Sequence, residues 1–265
     1  MIIKQYIVTY KNNPMLEQAI DSVFSTETEH DRRVFIIANH SEDKYEGPHP
    51  VVFLRNDLRP DFSTGHLSRN WNQALIAGFV NLQDPAADLL ILSQNDCIFA
   101  ENYLETVVEN HKAFDLVSYG AGDSCVSYSP RAVARVGLWD ERFCNIGYQE
   151  ADYFLRAAKY LGLRASINDG EIHGREHNPV STVDRVIVAT PSGYSRREMT
   201  HLESMRYHMQ SRGFFAAKWG VDRQPQAWKP DFLDADIRIN SAILYPYFEN
   251  GIETLDEQKF LTFFN

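Results

Sequence analysis

The sequence predicts an α/β fold in which a mostly parallel central sheet is flanked by helices. Short apolar runs of strand-like length, such as residues 2–9 and 89–92, alternate with segments whose apolar residues recur at helical spacing. Apolar runs of about four to eight residues between polar segments are typical of strands that are buried on both faces. Because strands and helices alternate, we expect right-handed crossovers between parallel strands.

The predicted elements follow one another in a simple order. The first helix begins after Asn12, a good N-cap residue, with Pro14 in its first turn. Strands are predicted over residues 2–9, 33–38, 51–54, 89–92, 116–119, 125–129 and 164–172. Further helices are predicted over residues 67–79, 102–111, 148–162 and 199–212.

The composition is that of an ordinary globular protein. Of the 265 residues, 44% are hydrophobic and 23% are charged, and the length suffices for one large α/β domain or for one domain with a C-terminal extension. The formal net charge of −10 disfavours nucleic acid and anionic membranes as partners. No apolar run approaches the ~20 residues of a transmembrane helix, and none suits a signal peptide, so we expect a cytoplasmic protein. Three widely spaced cysteines predict neither a disulfide framework nor a structural zinc site.

The strand over residues 89–92 ends in four polar residues, Ser93 to Asp96, where the chain must leave the core. The carboxyl end of a buried strand is where α/β proteins usually bind ligands. A carboxylate at this position can hold a divalent cation, and the cation can hold phosphate oxygens. An ordinary polar turn is the alternative interpretation of the segment.

Several segments, taken in chain order, resemble motifs of the family-2 glycosyltransferases, which are inverting enzymes with the GT-A fold. The matching segments are Val8-Thr9-Tyr10-Lys11, Ala38-Asn39-His40-Ser41-Glu42-Asp43, Arg69-Asn70-Trp71-Asn72, Gln94-Asn95-Asp96, Val136-Gly137-Leu138-Trp139-Asp140-Glu141-Arg142-Phe143 and Gln149-Glu150-Ala151-Asp152. The segment from Val136 to Phe143 is the most specific, because it is close to the family pattern V-G-G-F-D-E-x-F. Gln149 to Asp152 follows it at the expected distance, where the family pattern is E-D-x-D. The resemblance covers residues 2–220.

The resemblance implies a metal-dependent inverting glycosyltransferase of the hexosyl- or deoxyhexosyl-transferase type. Such an enzyme moves a sugar from a UDP-, dTDP- or GDP-linked donor to a hydroxyl of a glycan acceptor. Residues 1–220 would form the GT-A domain, and residues 221–265 an extension packed on it. The implied cofactor is Mn²⁺ or Mg²⁺, with Asp96 and His173 as ligands and His177 as a rival to His173. Hard cations prefer oxygen ligands, and Mn²⁺ also accepts imidazole.

The same resemblance places the other site residues. Glu150 occupies the position of the general base, since inversion needs a base on the acceptor hydroxyl, opposite the leaving group. Asp152 lies about 200° round the helix from Glu150 and cannot easily share this task. The residues expected on the donor side are Thr9, Tyr10, Asn39, Arg69, Gln94 and Asn95. The residues expected on the acceptor side are Trp139, Asp140 and Trp219, with packing as the alternative for Trp219.

Two positions depart from the family pattern and leave other functions open. Gln94 is a neutral amide where many members carry an acid, and Ala38 replaces an Asp that many members use to recognise uracil or thymine. A catalytically inactive nucleotide- or glycan-binding module is therefore one alternative. A sugar nucleotidyltransferase is another, although residues 9–13 lack the expected glycine-rich loop. A metal-dependent hydrolase that uses Asp96 and the two histidines is a third.

Overall fold

The fold is seen in a computed structural model that describes residues 1–56, 67–119, 123–143, 148–161, 165–168, 186–188 and 201–220. The strands in these ranges are β1 (Ile2–Thr9), β2 (Asp31–Ala38), β3 (Val51–Arg55), β4 (Leu89–Gln94), β5 (Cys97–Phe99), β6 (Leu116–Tyr119), β7 (Cys125–Tyr128), β8 (Ala165–Asn168) and β9 (Val186–Val188). The helices are α1 (Asn13–Phe24), α2 (Leu67–Phe79), α3 (Tyr103–Asn110), α4 (Pro130–Val136), α5 (Tyr148–Leu161) and α6 (His201–Trp219).

Seven of the described strands form one sheet in the order β3-β2-β1-β4-β7-β6-β8. β1 lies parallel to β2 and β4, β2 to β3, and β6 to β8, whereas β7 is antiparallel to β4 and β6. β7 runs in reverse because only five residues separate it from β6, and a parallel crossover needs a dozen or more. The predicted mostly parallel α/β sheet is confirmed.

Three elements were not predicted. β5 pairs with β9 in a separate two-stranded antiparallel sheet, and both strands are only three residues long. The third is α4, whose start is marked in the sequence. Ser129 is its N-cap and accepts the N–H of Ala132, and Pro130 occupies its first turn.

Each face of the sheet is covered by helices. α1 and α3 pack on one face, where Ile3 and Ile7 of β1 join their core. α2, α4, α5 and α6 pack on the other, where Tyr6 and Val8 of β1 point. Successive side chains of a strand point to opposite faces, so one apolar strand serves both cores. Burying each large apolar side chain contributes about 1.5–3 kcal/mol to the free energy of unfolding.

The parallel strands bring three carboxyl ends to one edge of the sheet. Thr9 at the end of β1 pairs with Ala38 at the end of β2, and Val8 pairs with Gln94 at the end of β4. The residues that follow these strands therefore meet at this edge, which is where the sequence predicts the donor site.

Some predictions lie outside the described residues. These are the two histidines predicted as alternative metal ligands, His173 and His177, and the extension over residues 221–265. Among the helices that the structure describes, none has the length and apolar character needed to cross a membrane.

Candidate active site

Three side chains predicted on the donor side meet at the carboxyl ends of β1, β2 and β4. The Nδ2 of Asn95 donates to the hydroxyl of Thr9 at 3.0 Å, and the Nδ2 of Asn39 donates to the Thr9 carbonyl at 3.2 Å. All three residues are buried. The strand register brings them together, and their mutual hydrogen bonds hold the three loops at fixed distances.

A buried carboxylate, Asp43, fixes the loops that follow β1 and β2. One oxygen accepts the N–H of Lys11 at 2.7 Å, and the other accepts the N–H groups of Asn39 and His40 at 3.0 and 2.9 Å. Burial raises the pKa of Asp43, while the three N–H donors act in the opposite direction. Lys11 has a φ of 51°, which is rare for a residue with a side chain, and its bond to Asp43 stabilises this conformation. The ring of Tyr10 consequently meets the ring of His40 edge-on, at 5.8 Å.

The predicted metal ligand Asp96 follows the end of β4 and is almost fully buried. Its carboxylate offers the oxygen chemistry that Mg²⁺ and Mn²⁺ prefer. Within the described ranges, however, no three His, Cys, Asp or Glu side chains are grouped so that they could hold a metal. Asp96 could therefore supply one ligand of a divalent cation. The other ligands would be donor phosphates or residues outside the described ranges.

Asp123 connects the end of β4 to the start of α5. Its Oδ2 accepts from the indole N–H of Trp71 at 2.8 Å and from Gln149 Nε2 at 3.1 Å, and its Oδ1 accepts from Gln94 Nε2 at 3.4 Å. Burial raises the pKa of Asp123, and hydrogen bonds to Trp71, Glu150 and Gln149 oppose the shift. No sequence motif predicts this residue. The only signal is an acid that follows Gly120-Ala121-Gly122 and precedes β7.

Glu150 and Asp152 lie on opposite sides of α5, as helix geometry predicts. Glu150 is half-buried, and its Oε2 accepts the N–H of Asp123 at 3.4 Å. Asp152 is fully buried and forms ion pairs with Arg156 at 3.0 Å and Lys218 at 2.6 Å. Of these two acids, only Glu150 is partly exposed to solvent.

α2 holds the loop between α4 and α5. The amide of Asn72 donates to the Trp139 carbonyl at 2.9 Å and accepts the Trp139 N–H at 2.8 Å. It also donates to Glu141 at 2.8 Å. Arg69, one turn earlier, has its Nε 3.4 Å from Glu141, and 65% of its side chain is exposed. Arg69 is therefore accessible to an anionic ligand, as its predicted donor role requires.

Trp139, Asp140 and Trp219, predicted on the acceptor side, lie in the interior and are at most 2% exposed. The ring of Trp139 stacks on Tyr153 with their centroids 4.2 Å apart. The indole N–H of Trp219 donates to Asp152 at 2.9 Å. Their burial argues against the predicted contact with an acceptor: Trp139 and Trp219 pack in the interior, and Asp140 forms buried ion pairs.

Asp140 belongs to a buried ion network that joins α6 to the rest of the protein. Lys218 Nζ lies 2.7 Å from Asp140 and 2.6 Å from Asp152, and all three side chains are buried. Arg142 Nη2 lies 2.7 Å from Asp140 Oδ2, the same oxygen that Lys218 contacts. Burial acts to raise the pKa of Asp140, but Arg142 and Lys218 outweigh it and hold that pKa below its usual value.

Comparison with solved structures identifies the type of fold. The structure resembles the mannosyltransferase PcManGT from Pyrobaculum calidifontis, solved in complex with GDP-Man and Mn²⁺, with a TM-score of 0.53, 14% identity, and coverage of 87% of this chain and 67% of that chain. S. aureus TarS gives a TM-score of 0.47 at 11% identity, over 64% of this chain and 36% of that chain. Glucosyl-3-phosphoglycerate synthase from Mycobacterium tuberculosis gives 0.45 at 14% identity, over 63% and 69%.

Sequence comparison adds no further relative. No protein-family model and no curated protein matches the sequence. The likeness to PcManGT therefore shows the fold alone, and it confirms the predicted fold class: the chain has a GT-A fold, with a mostly parallel central sheet between helices.

Proposed function

We propose that the chain is a metal-dependent, inverting glycosyltransferase of the family-2 type. It moves a sugar from a nucleoside diphosphate sugar to a hydroxyl of a glycan. The observation that carries the proposal is the connection made by Asp123 between Gln94, at the end of the predicted donor strand, and Glu150 on α5. This connection puts the candidate base beside the strand end where the donor is expected. The GT-A fold, shared with a mannosyltransferase solved with GDP-Man and Mn²⁺, supports the same function.

On the donor side, Asp96 is the residue that holds Mn²⁺ or Mg²⁺, with His173 as the expected second protein ligand. When bound, the cation stabilises the charge that develops on the departing diphosphate. The loops fixed by Thr9 and Asn39 form the floor under the nucleotide, and the ring of Tyr10 is placed to stack on a base. Arg69 supplies an exposed guanidinium, which pairs well with phosphate oxygens.

On the acceptor side, Glu150 takes the proton of the acceptor hydroxyl. The acceptor oxygen then forms a bond to the anomeric carbon, while the bond from that carbon to the diphosphate oxygen breaks on the opposite face. The proton ends on Glu150, the bonding electrons leave with the diphosphate, and the configuration inverts. General base catalysis of this kind contributes about 10²- to 10⁴-fold to the rate.

A binding module without catalysis is the second candidate function. The observation that favours it is the neutral Gln94, whose amide is bonded to Asp123 at 3.4 Å, in place of a second carboxylate. The two candidates make the same prediction for nucleotide binding and differ only in turnover of the donor.

Calorimetric titration of UDP, GDP and dTDP in the presence of Mn²⁺ tests the nucleotide site. Asp96→Ala removes the proposed ligand after β4, so affinity should fall at least about tenfold and lose its dependence on Mn²⁺. Asp88→Ala is the matched control, because Asp88 precedes the same strand at its other end, is exposed, and accepts the N–H of Ile2. Equal affinity in the parent protein and both variants would exclude Asp96 as a metal ligand.

A further inference from the structure

Four amide side chains meet where the ends of β2 and β3 face the start of α2. Asn39 follows β2 and Asn56 follows β3, while Asn70 and Gln73 lie about one turn apart on α2. The Nδ2 of Asn56 donates to Gln73 Oε1 at 2.9 Å. The same nitrogen lies 3.3 Å from Asn39 Oδ1 and 3.4 Å from Asn70 Oδ1. We call these four residues the amide cluster.

The amide cluster has hydrogen-bonding capacity that its own members do not use. The amide nitrogen of Asn56 carries two hydrogens, yet three amide oxygens surround it, and each oxygen has two lone pairs. Asn70 is 1% exposed, and its Nδ2 has no hydrogen-bond partner among the residues that the structure describes. A buried polar group without a partner costs free energy, so the cluster suits a ligand that supplies the missing partners.

The position of the amide cluster fits the base of a nucleotide whose diphosphate lies near Asp96. The cluster lies at the ends of β2 and β3, whereas Asp96 follows β4. β1 separates β2 from β4, and neighbouring strands are about 4.8 Å apart, so the two places are about 10 Å or more apart along the edge of the sheet. A nucleoside diphosphate bridges such a gap, because the ribose separates its base from its phosphates. Asn39 also donates to the Thr9 carbonyl, so the cluster is continuous with the floor of the donor site.

The excess of acceptors over donors in the amide cluster favours guanine among the bases. The Watson–Crick edge of guanine presents the N1–H and the 2-amino group beside the O6 carbonyl, and proteins recognise unpaired bases through this edge. The two nitrogen donors match the amide oxygens around Asn56, and O6 matches the Nδ2 of Asn70. Uracil and thymine present a single N–H between two carbonyls, so their O2 would face an amide oxygen with no hydrogen between them.

We propose that the amide cluster recognises the Watson–Crick edge of guanine and that the sugar donor is therefore a GDP-sugar. This inference rests on the proposed function and deepens it, because it names the nucleotide. Asn70 donates to O6, and the amide oxygens accept from N1–H and from the 2-amino group. All four side chains are neutral, as is the guanine edge at neutral pH, so the recognition needs no ionised group.

Calorimetric titration of the unmodified protein with four nucleotides tests the recognition of guanine. The nucleotides are GDP, UDP, dTDP and inosine diphosphate, which differs from GDP only by the missing 2-amino group, each with Mn²⁺. GDP should bind at least about tenfold more tightly than each of the others, because each of them leaves a buried amide oxygen without a partner. Inosine diphosphate that binds as tightly as GDP, or UDP or dTDP that binds as tightly or more tightly, would overturn the proposal.

A pair of Asn→Ala variants tests the role of Asn70. Asn70→Ala removes the donor to O6, so affinity for GDP should fall at least about tenfold and the preference for GDP over UDP should shrink. Asn81→Ala is the matched control, because Asn81 lies beyond the far end of α2, where its Oδ1 accepts the N–H groups of Gln83 and Asp84. The control should keep the parent affinities for both nucleotides. An unchanged preference in Asn70→Ala would mean that Asn70 supports only the fold, which would overturn its proposed role.

The outcomes separate this inference from the proposed function. Equal affinity for the four nucleotides, with dependence on Mn²⁺, would overturn the recognition of guanine and leave the proposed glycosyl transfer intact. A preference for GDP without any turnover of a GDP-sugar would support the recognition of guanine and contradict the proposed function. If none of the nucleotides binds, both are wrong. Melting temperatures show whether Asn70→Ala is folded, and if it is not, the comparison of nucleotides on the unmodified protein decides.

Discussion

Glu150 is the residue on which the proposed chemistry depends most. Its carboxylate is half-buried at the first turn of α5 and accepts the N–H of Asp123, whereas the neighbouring Asp152 is fully buried in ion pairs. We expect Glu150→Gln to keep the shape of the site and remove the base. Release of nucleoside diphosphate should fall about 10²- to 10⁴-fold, with donor affinity unchanged. Steady-state turnover and calorimetry on the same preparation measure both quantities.

The control for this prediction is Glu105→Gln, which removes one negative charge from the exposed surface of α3, on the face of the sheet opposite to α5. It should turn over the donor at the parent rate. Parent-like turnover in Glu150→Gln as well would remove Glu150 from the mechanism.

His111 couples the stability of the protein to pH. Its Nε2 lies 2.7 Å from the hydroxyl of Ser127, which in turn lies 3.1 Å from the hydroxyl of Tyr119. Burial lowers the pKa of His111 from 6.5 to about 4. The unfolded chain therefore takes up this proton first as the pH falls, so the free energy of unfolding decreases between about pH 6.5 and pH 4, by at most about 1.4 kcal/mol per pH unit.

Urea unfolding at several pH values between 7.5 and 4.5 measures this dependence. His111→Gln keeps a hydrogen-bonding side chain beside Ser127 and cannot titrate, so its stability should decline less over the same interval. Identical pH dependence in the parent protein and the variant would show that His111 is not the group responsible.

Single residues differ in how far the sequence predicts them. Asp96 and Glu150 belong to motifs that can be recognised from the sequence alone, by their residues and their order along the chain. Asp123 stands in no motif, and its bonds to Gln94 and Glu150 span 29 and 27 residues. Contacts of this length depend on strand register and on the reversed direction of β7, neither of which can be read from local sequence.

At the scale of elements, the end of α6 is held to the GT-A core by the ion network around Lys218. Its ammonium contacts the buried carboxylates of Asp140 and Asp152. Lys218→Met keeps most of the side-chain volume but removes the cation that pairs with both carboxylates. The free energy of unfolding should therefore fall by about 3–5 kcal/mol. Lys112→Met is the matched control. Its ion pair with Glu109 is exposed on the surface, so its removal should cost less than about 1 kcal/mol.

Chemical denaturation of the two variants and the parent protein measures the difference. A loss below about 1 kcal/mol in Lys218→Met would mean that the buried carboxylates find other partners and that the network does not anchor α6.

The extent of α6 also shows what the sequence could not predict. The prediction ended the helix at residue 212, whereas the structure continues it through Gly213 to Trp219. A glycine inside a helix costs about 1 kcal/mol relative to alanine. The burial of Phe215, Lys218 and Trp219 against α5 and the preceding loop outweighs that cost, and this packing becomes visible only in three dimensions.

The same network corrects the interpretation of a motif. The segment from Val136 to Phe143 was the most specific resemblance, and Trp139 and Asp140 within it were expected to face an acceptor. Both are buried, one stacked on Tyr153 and the other paired with Lys218. A sequence motif contains residues that stabilise the fold as well as residues that contact substrate. The local sequence alone does not show which residues are of which kind.

At the scale of the whole molecule, alternation of strands and helices sufficed to predict the α/β class and the mostly parallel sheet. It did not predict the place of β7 between β4 and β6, because strand order depends on pairing between distant segments. This order brings Asp123, which lies two residues before the start of β7, beside the end of β4. The catalytic arrangement we propose is therefore a property of the topology.

The products released from an activated sugar test the central claim most directly. Purified protein is incubated with GDP-mannose, UDP-glucose or dTDP-glucose, with and without Mn²⁺ and a mixture of glycans, and the nucleotide products are separated. A glycosyltransferase breaks the bond between the sugar and the diphosphate, so we predict Mn²⁺-dependent release of nucleoside diphosphate that glycans accelerate. Tight binding of the donors without any release would indicate a binding module. Release of nucleoside monophosphate or triphosphate would indicate a hydrolase or a nucleotidyltransferase. Each of these results would contradict the proposed glycosyl transfer.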